Sequence, residues 1–127
     1  MSYLKNICYI YNGKPYLTND NGKNTLYNGG LKTYTTNGES NLIPNTEYII
    51  IHKQSASVSF INKSQSATTC IGNNAFYITL KEDEKCLLKY LYYVLKFTPK
   101  ILKQLQKGAV QPSINKTDIS NLEIEYV

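Results

Sequence analysis

The sequence contains no arginine and no tryptophan, and it has one histidine and three cysteines among its 127 residues. The cysteines, Cys8, Cys70 and Cys86, include no Cys-x-x-Cys pair, and His52 is the one imidazole that could join them as a ligand. These counts exclude the usual zinc-site spacings and a fully paired disulfide framework. We expect reduced, structural thiols and no metal site.

Long hydrophobic runs are also missing. No window approaches the roughly 20 apolar residues of a membrane span, and the N-terminus lacks the basic and apolar regions of a secretory signal. We therefore expect an intracellular, cytoplasmic protein. Hydrophobic residues make up 42% and charged residues 18% of the chain, which is typical of a globular protein, and the length fits one domain spanning residues 1–127.

Motifs of catalysis are absent as well. The sequence has no Asp-Pro-Pro-Tyr or Asn-Pro-Pro-Tyr methyltransferase motif, no glycine-rich cofactor turn and no phosphate-binding Gly-x-x-x-x-Gly-Lys. The acidic run Glu82-Asp83-Glu84 is better explained as charge at the start of a helix, because adjacent carboxylates seldom converge on one metal. We predict a protein that is not an enzyme and that has no cofactor.

The basic side chains are all lysine: fourteen lysines against nine carboxylates give a net charge of +5. This surplus favours an anionic partner, nucleic acid first, through neutralisation of phosphates. Solubility or an acidic protein surface would explain the same surplus. The abundance of asparagine, isoleucine, lysine and tyrosine is typical of A/T-rich codon usage, which accounts for part of the lysine count.

Short strands separated by turns are predicted over the first two-thirds of the chain. Runs rich in β-branched and aromatic residues occur at 7–11, 48–52 and 75–80, and residues 57–61 alternate between apolar and polar. Asn-Gly turns follow several of the apolar runs, beginning at Asn12, Asn21, Asn28 and Asn37. The pattern predicts a twisted, mostly antiparallel β-sheet.

The pattern becomes helical after Lys81. Leucines recur at helical spacing from 87 to 95, which predicts a helix over about 83–96 with one apolar face. A second helix is predicted over about 99–107, with Thr98 as N-cap and Gly108 in the left-handed position after its end. One helical turn starting at Thr117 or Asp118 and a closing strand over 122–127 complete an α+β fold.

The C-terminal half resembles a known family. The segments 73–78, 89–95 and 105–119 agree in order and spacing with the second half of a target-recognition domain from the specificity subunit of a type I restriction-modification system. Upstream, Asn12-Gly13-Lys14 resembles the Gly-Lys turn of that family, Asn28-Gly29-Gly30 its glycine pair, and Ile49-Ile50-Ile51 its central strand. The loop after this strand, 52–57, departs from the family, whose members commonly carry a basic residue and glycines there.

The resemblance implies a binding module that supplies DNA target specificity without catalysis. Its partners would be double-stranded DNA, methyltransferase and restriction subunits, or a second recognition domain. The long connecting helices of a full specificity subunit are absent from this sequence. Two other functions stay open: a stand-alone recognition-domain homologue that acts as a protein-interaction module or competitor, and the recognition segment of a fused methyltransferase-endonuclease.

Candidate DNA-binding residues are polar side chains on four loops. Amides can pair bidentately with adenine, and lysines can contact phosphates. The candidates are Asn12, Lys14 and Tyr16; Thr36, Asn37 and Ser40; His52, Lys53 and Gln54; and Lys107, Gln111, Ser113, Asn115 and Lys116. Each also has an ordinary structural explanation: asparagine favours turns, tyrosine flanks cores, lysine is commonly solvated, and His52 ends a hydrophobic strand.

Overall fold

The computed structural model describes residues 2–82, 87–108 and 110–124, which form nine short strands, four α-helices and one 3-10 helix (Ser66–Thr68). The fold is α+β, as predicted. The strands are β1 (Ser2–Tyr3), β2 (Cys8–Asn12), β3 (Asn24–Tyr27), β4 (Thr33–Thr36), β5 (Tyr48–His52), β6 (Val58–Ile61), β7 (Thr69–Ile71), β8 (Ala75–Leu80) and β9 (Glu123–Ile124). The helices are α1 (Leu4–Ile7), α2 (Leu88–Phe97), α3 (Pro99–Lys103) and α4 (Lys116–Ser120).

The strands form three sheets, where the sequence predicted one. A four-stranded antiparallel sheet has the order β2-β8-β5-β6, and a three-stranded sheet has the order β4-β3-β7. The β3–β7 pair is parallel, while β1 pairs with β9 in an antiparallel ribbon that joins the two chain ends. The sheets are thus mostly antiparallel, in agreement with the prediction.

Strand β5 forms the centre of the molecule, and all five of its residues are buried. Ile49 and Ile51 pack into a core that also contains the helices, whereas Tyr48 and Ile50 pack into a second core on the opposite face, together with Ile71. Because both faces of β5 are covered, its sequence is continuously apolar instead of alternating. This is the strand that the sequence predicted with the same bounds.

The helical region differs from the prediction in detail. The first helix begins at Leu88 and buries Leu88, Leu91 and Leu95; the predicted start at 83 lies outside the described residues. Helix α3 ends at Lys103 instead of 107, because the next amides turn back on nearer carbonyls and Lys107 then pairs with Ser113. The side chain of Thr98 makes no capping hydrogen bond.

Gly108 has the predicted positive φ, at 115°. It lies in the turn that joins Lys107 to Ser113, however, and not at a helix end, because α3 has already stopped five residues earlier. The predicted single turn near Thr117 is α4, and the closing strand is β9 as far as Ile124. Helix α1 and the parallel pairing were not predicted. No described helix has the length and apolar character needed to cross a membrane.

Candidate nucleic-acid interface

Several loops meet at one end of the four-stranded sheet. Strands β2 and β5 both run antiparallel to β8, so both end where β8 begins: Asn12 lies opposite Phe76, and His52 lies opposite Ala75. Strands β3 and β7 end beside them, because the amide of Gly72 donates to the carbonyl of Tyr27 at 2.7 Å. The loops that follow these strands are therefore neighbours. Their polar residues form what we call the asparagine edge: Asn12, Asn28, Lys53, Gln54, Asn73 and Asn74.

Glycines allow the backbones at this edge to approach closely. Gly29 has φ of 95°, and a Cβ there would lie 2.1 Å from the carbonyl oxygen of Asn74. The same Gly29 accepts hydrogen bonds at its carbonyl from the amides of Gln54 and Ser55, at 3.3 and 3.2 Å. Gly29 thus joins the loop after β3 to the loop after β5 by hydrogen bonds, and it allows the Asn74 carbonyl an approach that a side chain at position 29 would block.

Lys53 ties three elements of the edge together. Its Nζ donates to the main-chain oxygen of Asn73 at 2.9 Å and to Oδ1 of Asn12 at 3.4 Å. The ammonium group also lies 4.4 Å from the centre of the Phe76 ring. Partial burial lowers the pKa of Lys53 from its ordinary value. The side chain therefore organises the loops as well as adding positive charge.

Gln106 fixes the loop after β5 from the helical side. Its Nε2 donates to the main-chain oxygen of Gln54 at 2.7 Å and lies 3.4 Å from that of Lys53. Because the backbone of Gln54 is held in this way, its exposed side chain projects from an ordered loop. Gln106 was not among the predicted site residues.

An open groove of about 610 Å³ runs beside the edge. Its polar lining includes Asn28, Lys32, Gln54 and Asn74. Lys32 is exposed, and its Nζ lies 5.5 Å from the centre of the Tyr34 ring. The groove thus combines amides, which can both donate and accept, with a cation at its rim.

The first predicted loop divides between this edge and a neighbouring cavity. Asn12 and Lys14 are exposed, and the amide of Lys14 donates to the carbonyl of Ile71 at 3.1 Å. Tyr16 lines a cavity of about 480 Å³ and donates its hydroxyl to the main-chain oxygen of Glu39 at 2.7 Å. Burial is the main cause that raises the pKa of Tyr16 above its ordinary value. Tyr16 is therefore a neutral, hydrogen-bonded side chain.

In the second predicted loop, the hydroxyls of Thr36 and Ser40 make hydrogen bonds within the protein. Thr36 is buried and donates its hydroxyl to the carbonyl of Leu17 at 2.7 Å. The Ser40 hydroxyl lies within hydrogen-bonding distance of the main-chain oxygens of Ser66 and Thr69. Both hydroxyls thus satisfy backbone groups of the loops. Asn37 is exposed, but its Oδ1 accepts from the amide of Lys23 at 3.2 Å.

His52 is also a core residue, with 3% of its surface exposed. Its Nε2 lies 2.9 Å from the Ser59 hydroxyl, and burial lowers its pKa to about 4. The imidazole is therefore neutral at pH 7 and does not reach the surface. The sequence placed His52 among the candidate DNA-binding residues; in the structure its side chain is buried, because both faces of β5 are covered.

The fourth predicted group surrounds the turn that contains Gly108. The main chains of Lys107 and Ser113 exchange two hydrogen bonds of 2.9 Å, and the Lys107 ammonium group lies 3.0 Å from Oδ2 of Asp118. Oδ1 of Asn115 accepts from the amide of Asp118 at 2.8 Å and so caps helix α4. Gln111 and Lys116 are exposed.

Five residues near the groove were missed by the sequence analysis. They are Asn28, Lys32, Asn73, Asn74 and Gln106. Three of them lie next to features that the sequence analysis recognised: Asn28 precedes the glycine pair, and Asn73 and Asn74 precede the strand predicted at 75–80. Nothing in their local pattern indicates, however, that they meet in space.

The chemistry of the edge suits a hydrogen-bonding, anionic ligand. Asparagine and glutamine amides can pair with base edges, while lysines complement phosphates. Within residues 2–82, 87–108 and 110–124, no group of three or more histidine, cysteine or acidic side chains could hold a metal ion.

Comparison with known proteins adds a family relationship. The model of the family described as "Type I restriction modification DNA specificity domain" matches residues 2–127. A protein of Mycoplasma pneumoniae that carries the name of a type I specificity subunit is 28% identical over 106 residues, which cover 84% of this chain and 27% of that protein.

Two solved structures share the fold. The S subunit of a type I restriction-modification system from M. genitalium superposes with a TM-score of 0.75 and 22% identity, over 95% of this chain and 32% of that one. The HsdS subunit from Thermoanaerobacter tengcongensis gives a TM-score of 0.61 and 19% identity, over 94% and 31%. The chain thus spans about a third or less of the length of these relatives.

Proposed function

This chain belongs to the type I restriction modification DNA specificity domain family, and from that membership we propose that it reads a short sequence in double-stranded DNA and supplies this specificity to a restriction-modification assembly. A specificity domain selects a target and leaves the chemistry to other components. The family therefore agrees with the prediction that the chain is not an enzyme.

The observation that supports a reading surface most directly is the asparagine edge. Its five amide side chains lie on loops and strand ends that are joined by main-chain hydrogen bonds, and a lysine fixes two of those loops. A single asparagine or glutamine side chain can recognise adenine, because its amide oxygen accepts from N6 while its NH2 group donates to N7. An amide oxygen has two lone pairs, so Oδ1 of Asn12 can accept from Lys53 and still accept from a base.

We assign base reading to the amides of the edge and phosphate contact to the lysines around it. The proposed readers are Asn12, Gln54, Asn73 and Asn74, with Gln111 as a further exposed amide. The proposed phosphate contacts are Lys14, Lys32, Lys107 and Lys116. Thr36, Ser40 and His52 leave the proposal, because their side chains are buried or held by the loops.

The partners follow from the same family. A domain that supplies specificity requires a methyltransferase or restriction subunit to act at the selected site. Since the chain spans 27% to 32% of its relatives, one such domain accounts for part of a recognition sequence, and a second recognition domain would read the other part.

Selection from a randomised duplex pool tests the proposal. The purified chain is incubated with the pool at low salt, and the retained duplexes are sequenced. The proposal predicts one enriched motif of a few base pairs. The chain should bind a duplex that contains this motif more tightly than a duplex of scrambled sequence. Retention with no enriched motif would contradict sequence reading, and it would favour the alternative in which the domain has become a protein-interaction module.

A further inference from the structure

Helix α2 carries a second apolar stripe that faces away from the core. Leu88, Leu91 and Leu95 are buried against the sheet, whereas Tyr90, Tyr93 and Phe97 are exposed at spacings of three and four residues on another side of the same helix. Phe97 has 71% of its surface exposed. A helix whose only role is to cover a core needs one apolar face, so packing among residues 2–82, 87–108 and 110–124 does not account for the second face.

Four rings form a continuous ladder: Phe60 and Tyr92 are half-buried and pack against the core, and Tyr93 and Phe97 are exposed. Phe60 of β6 contacts Tyr92, Tyr92 contacts Tyr93, and Tyr93 stacks on Phe97, with ring centres 5.4 to 5.8 Å apart. This contiguous aromatic surface extends from the edge strand β6 to the end of α2. Contiguous apolar patches of this kind are typical of protein interaction sites.

Lysines surround the ladder. Lys89 lies 5.4 Å from the ring centre of Phe60, and Lys96 lies 5.5 and 5.7 Å from those of Tyr92 and Phe97. The sequence from 87 to 117 contains no aspartate or glutamate. The face is therefore apolar and aromatic at its centre and positively charged at its rim.

A small cavity continues the face on the other side of Lys96. It has a volume of about 250 Å³, and Val58, Leu95, Lys96 and Lys103 are among the residues that line it. An apolar side chain of a partner could enter this cavity, while carboxylates beside it would meet Lys96 and Lys103. The ladder and the cavity are thus both complementary to apolar side chains flanked by carboxylates.

We infer that this face of α2 docks a protein partner through an amphipathic helix whose apolar row is flanked by aspartate and glutamate. A helix fits because Tyr90, Tyr93 and Phe97 span about 10 Å along the axis of α2, which corresponds to two turns of a facing helix with apolar residues at matching intervals. The charge complement argues against a second copy of this chain, since two such faces would bring their lysines together.

Duplex DNA is also a poorer occupant than an acidic helix. Sugar-phosphate backbones would meet the lysines but would leave the exposed rings of Tyr93 and Phe97 uncovered by apolar surface. The aromatic ladder lies on α2 and the edge strand β6, whereas the asparagine edge lies at the ends of β2 and β5. The two surfaces can therefore be tested separately.

Selection from a display library tests the inference. Helical peptides of about 20 residues, long enough to hold a helix when bound, are randomised on one side and selected against the whole chain. The expected winners carry leucine or phenylalanine at helical spacing with aspartate or glutamate beside them. Phe97→Ser should weaken a selected peptide by about tenfold or more, and Val110→Ser, at a site 93% exposed outside the face, should leave its affinity unchanged.

Charge exchange gives a second, independent variant. Lys96→Glu should weaken binding of the acidic peptide. A peptide in which one acidic residue is changed to lysine should bind the Lys96→Glu variant more tightly, but not the original chain. Winners without acidic enrichment, or winners that bind Phe97→Ser and Lys96→Glu as well as the original chain, would overturn the inference. Sedimentation that shows a dimer of the original chain, and a monomer of Phe97→Ser, would also overturn it. So would a Phe97→Ser variant that loses affinity for duplex DNA, if the original chain selects no peptide.

Discussion

The ammonium group of Lys53 lies 2.9 Å from the main-chain oxygen of Asn73 and also reaches the side chain of Asn12. One cation therefore holds two loops that are more than sixty residues apart in the sequence. This placement separates two roles that a lysine near DNA can have, namely holding the loops and neutralising a phosphate.

Replacing Lys53 by methionine should affect the structure of the loops more than the salt dependence of DNA binding. The methionine side chain would keep the packing on Phe76 and lose the hydrogen bonds, so we expect a loss of about 1 kcal/mol in unfolding free energy, with weaker discrimination between selected and scrambled duplex. Lys14→Met is the matched control, because Lys14 is exposed. It should leave stability unchanged and flatten the salt dependence of binding by about one unit in a log-log plot. Equal salt slopes for the two variants would contradict this division of roles.

Gly29 should tolerate no side chain. Alanine there would combine a φ of 95° with a Cβ 2.1 Å from the Asn74 carbonyl oxygen, and we expect destabilisation of about 2 to 4 kcal/mol. Gly30→Ala is the control, since no atom lies within 4 Å of a Cβ at that position, and it should change stability by less than about 0.5 kcal/mol. Urea denaturation of both variants measures the difference, and similar midpoints would refute the close contact.

Asn115 should contribute to stability through the start of α4. Its side chain accepts from the amide of Asp118, and loss of an N-cap costs about 1 kcal/mol. Asn115→Ala should therefore lower the melting temperature, and Asn115→Ser should restore most of it because serine also caps. Gln111→Ala, at an exposed position, should stay within about 0.5 kcal/mol of the original chain. A stable Asn115→Ala with altered sequence preference would instead indicate that Asn115 reads bases.

His52 should make the fold sensitive to acid. Its pKa in the folded chain is about 4, below the ordinary value near 6.5, so only the unfolded state binds a proton between these values. Stability should fall as the pH decreases through this window, by up to roughly 3 kcal/mol. Because the chain has one histidine, His52→Gln isolates the effect: its unfolding free energy should lose less between pH 7 and pH 4. Identical losses would place the imidazole in solvent.

Elements that depend on local pattern were predictable. The β-branched run at Tyr48–His52 and the run at Ala75–Leu80 became strands with the predicted bounds, and leucine spacing located α2. The parallel pairing of β3 with β7 was not predictable, because it joins segments more than forty residues apart and nothing in either local sequence indicates the other as its partner. Helix α1 has four residues, too few for a periodic signal.

The candidate site was also predictable only where local sequence determines the structure. Asn12 and Gln54 are exposed at strand ends, as turn chemistry suggested. The burial of Thr36 and His52 depends on packing between distant segments, and the convergence of Asn28 and Asn74 on one groove depends on contacts between distant loops. Local sequence indicates which residues can bind DNA, whereas tertiary packing decides which of them reach the surface.

If the amides of the asparagine edge read bases, single amide variants should lose discrimination between related duplexes. Affinities of Asn12→Ala, Gln54→Ala and Asn73→Ala are compared for a selected duplex and for its single-base substitutions. The control is Asn6→Ala, since Asn6 is exposed on α1, before the opposite end of β2. We expect each edge variant to lose about 1 to 3 kcal/mol of discrimination at one base pair. The melting temperature should be retained in Gln54→Ala and Asn73→Ala, and Asn6→Ala should keep full discrimination. If all four variants discriminate as well as the original chain, the asparagine edge does not read DNA.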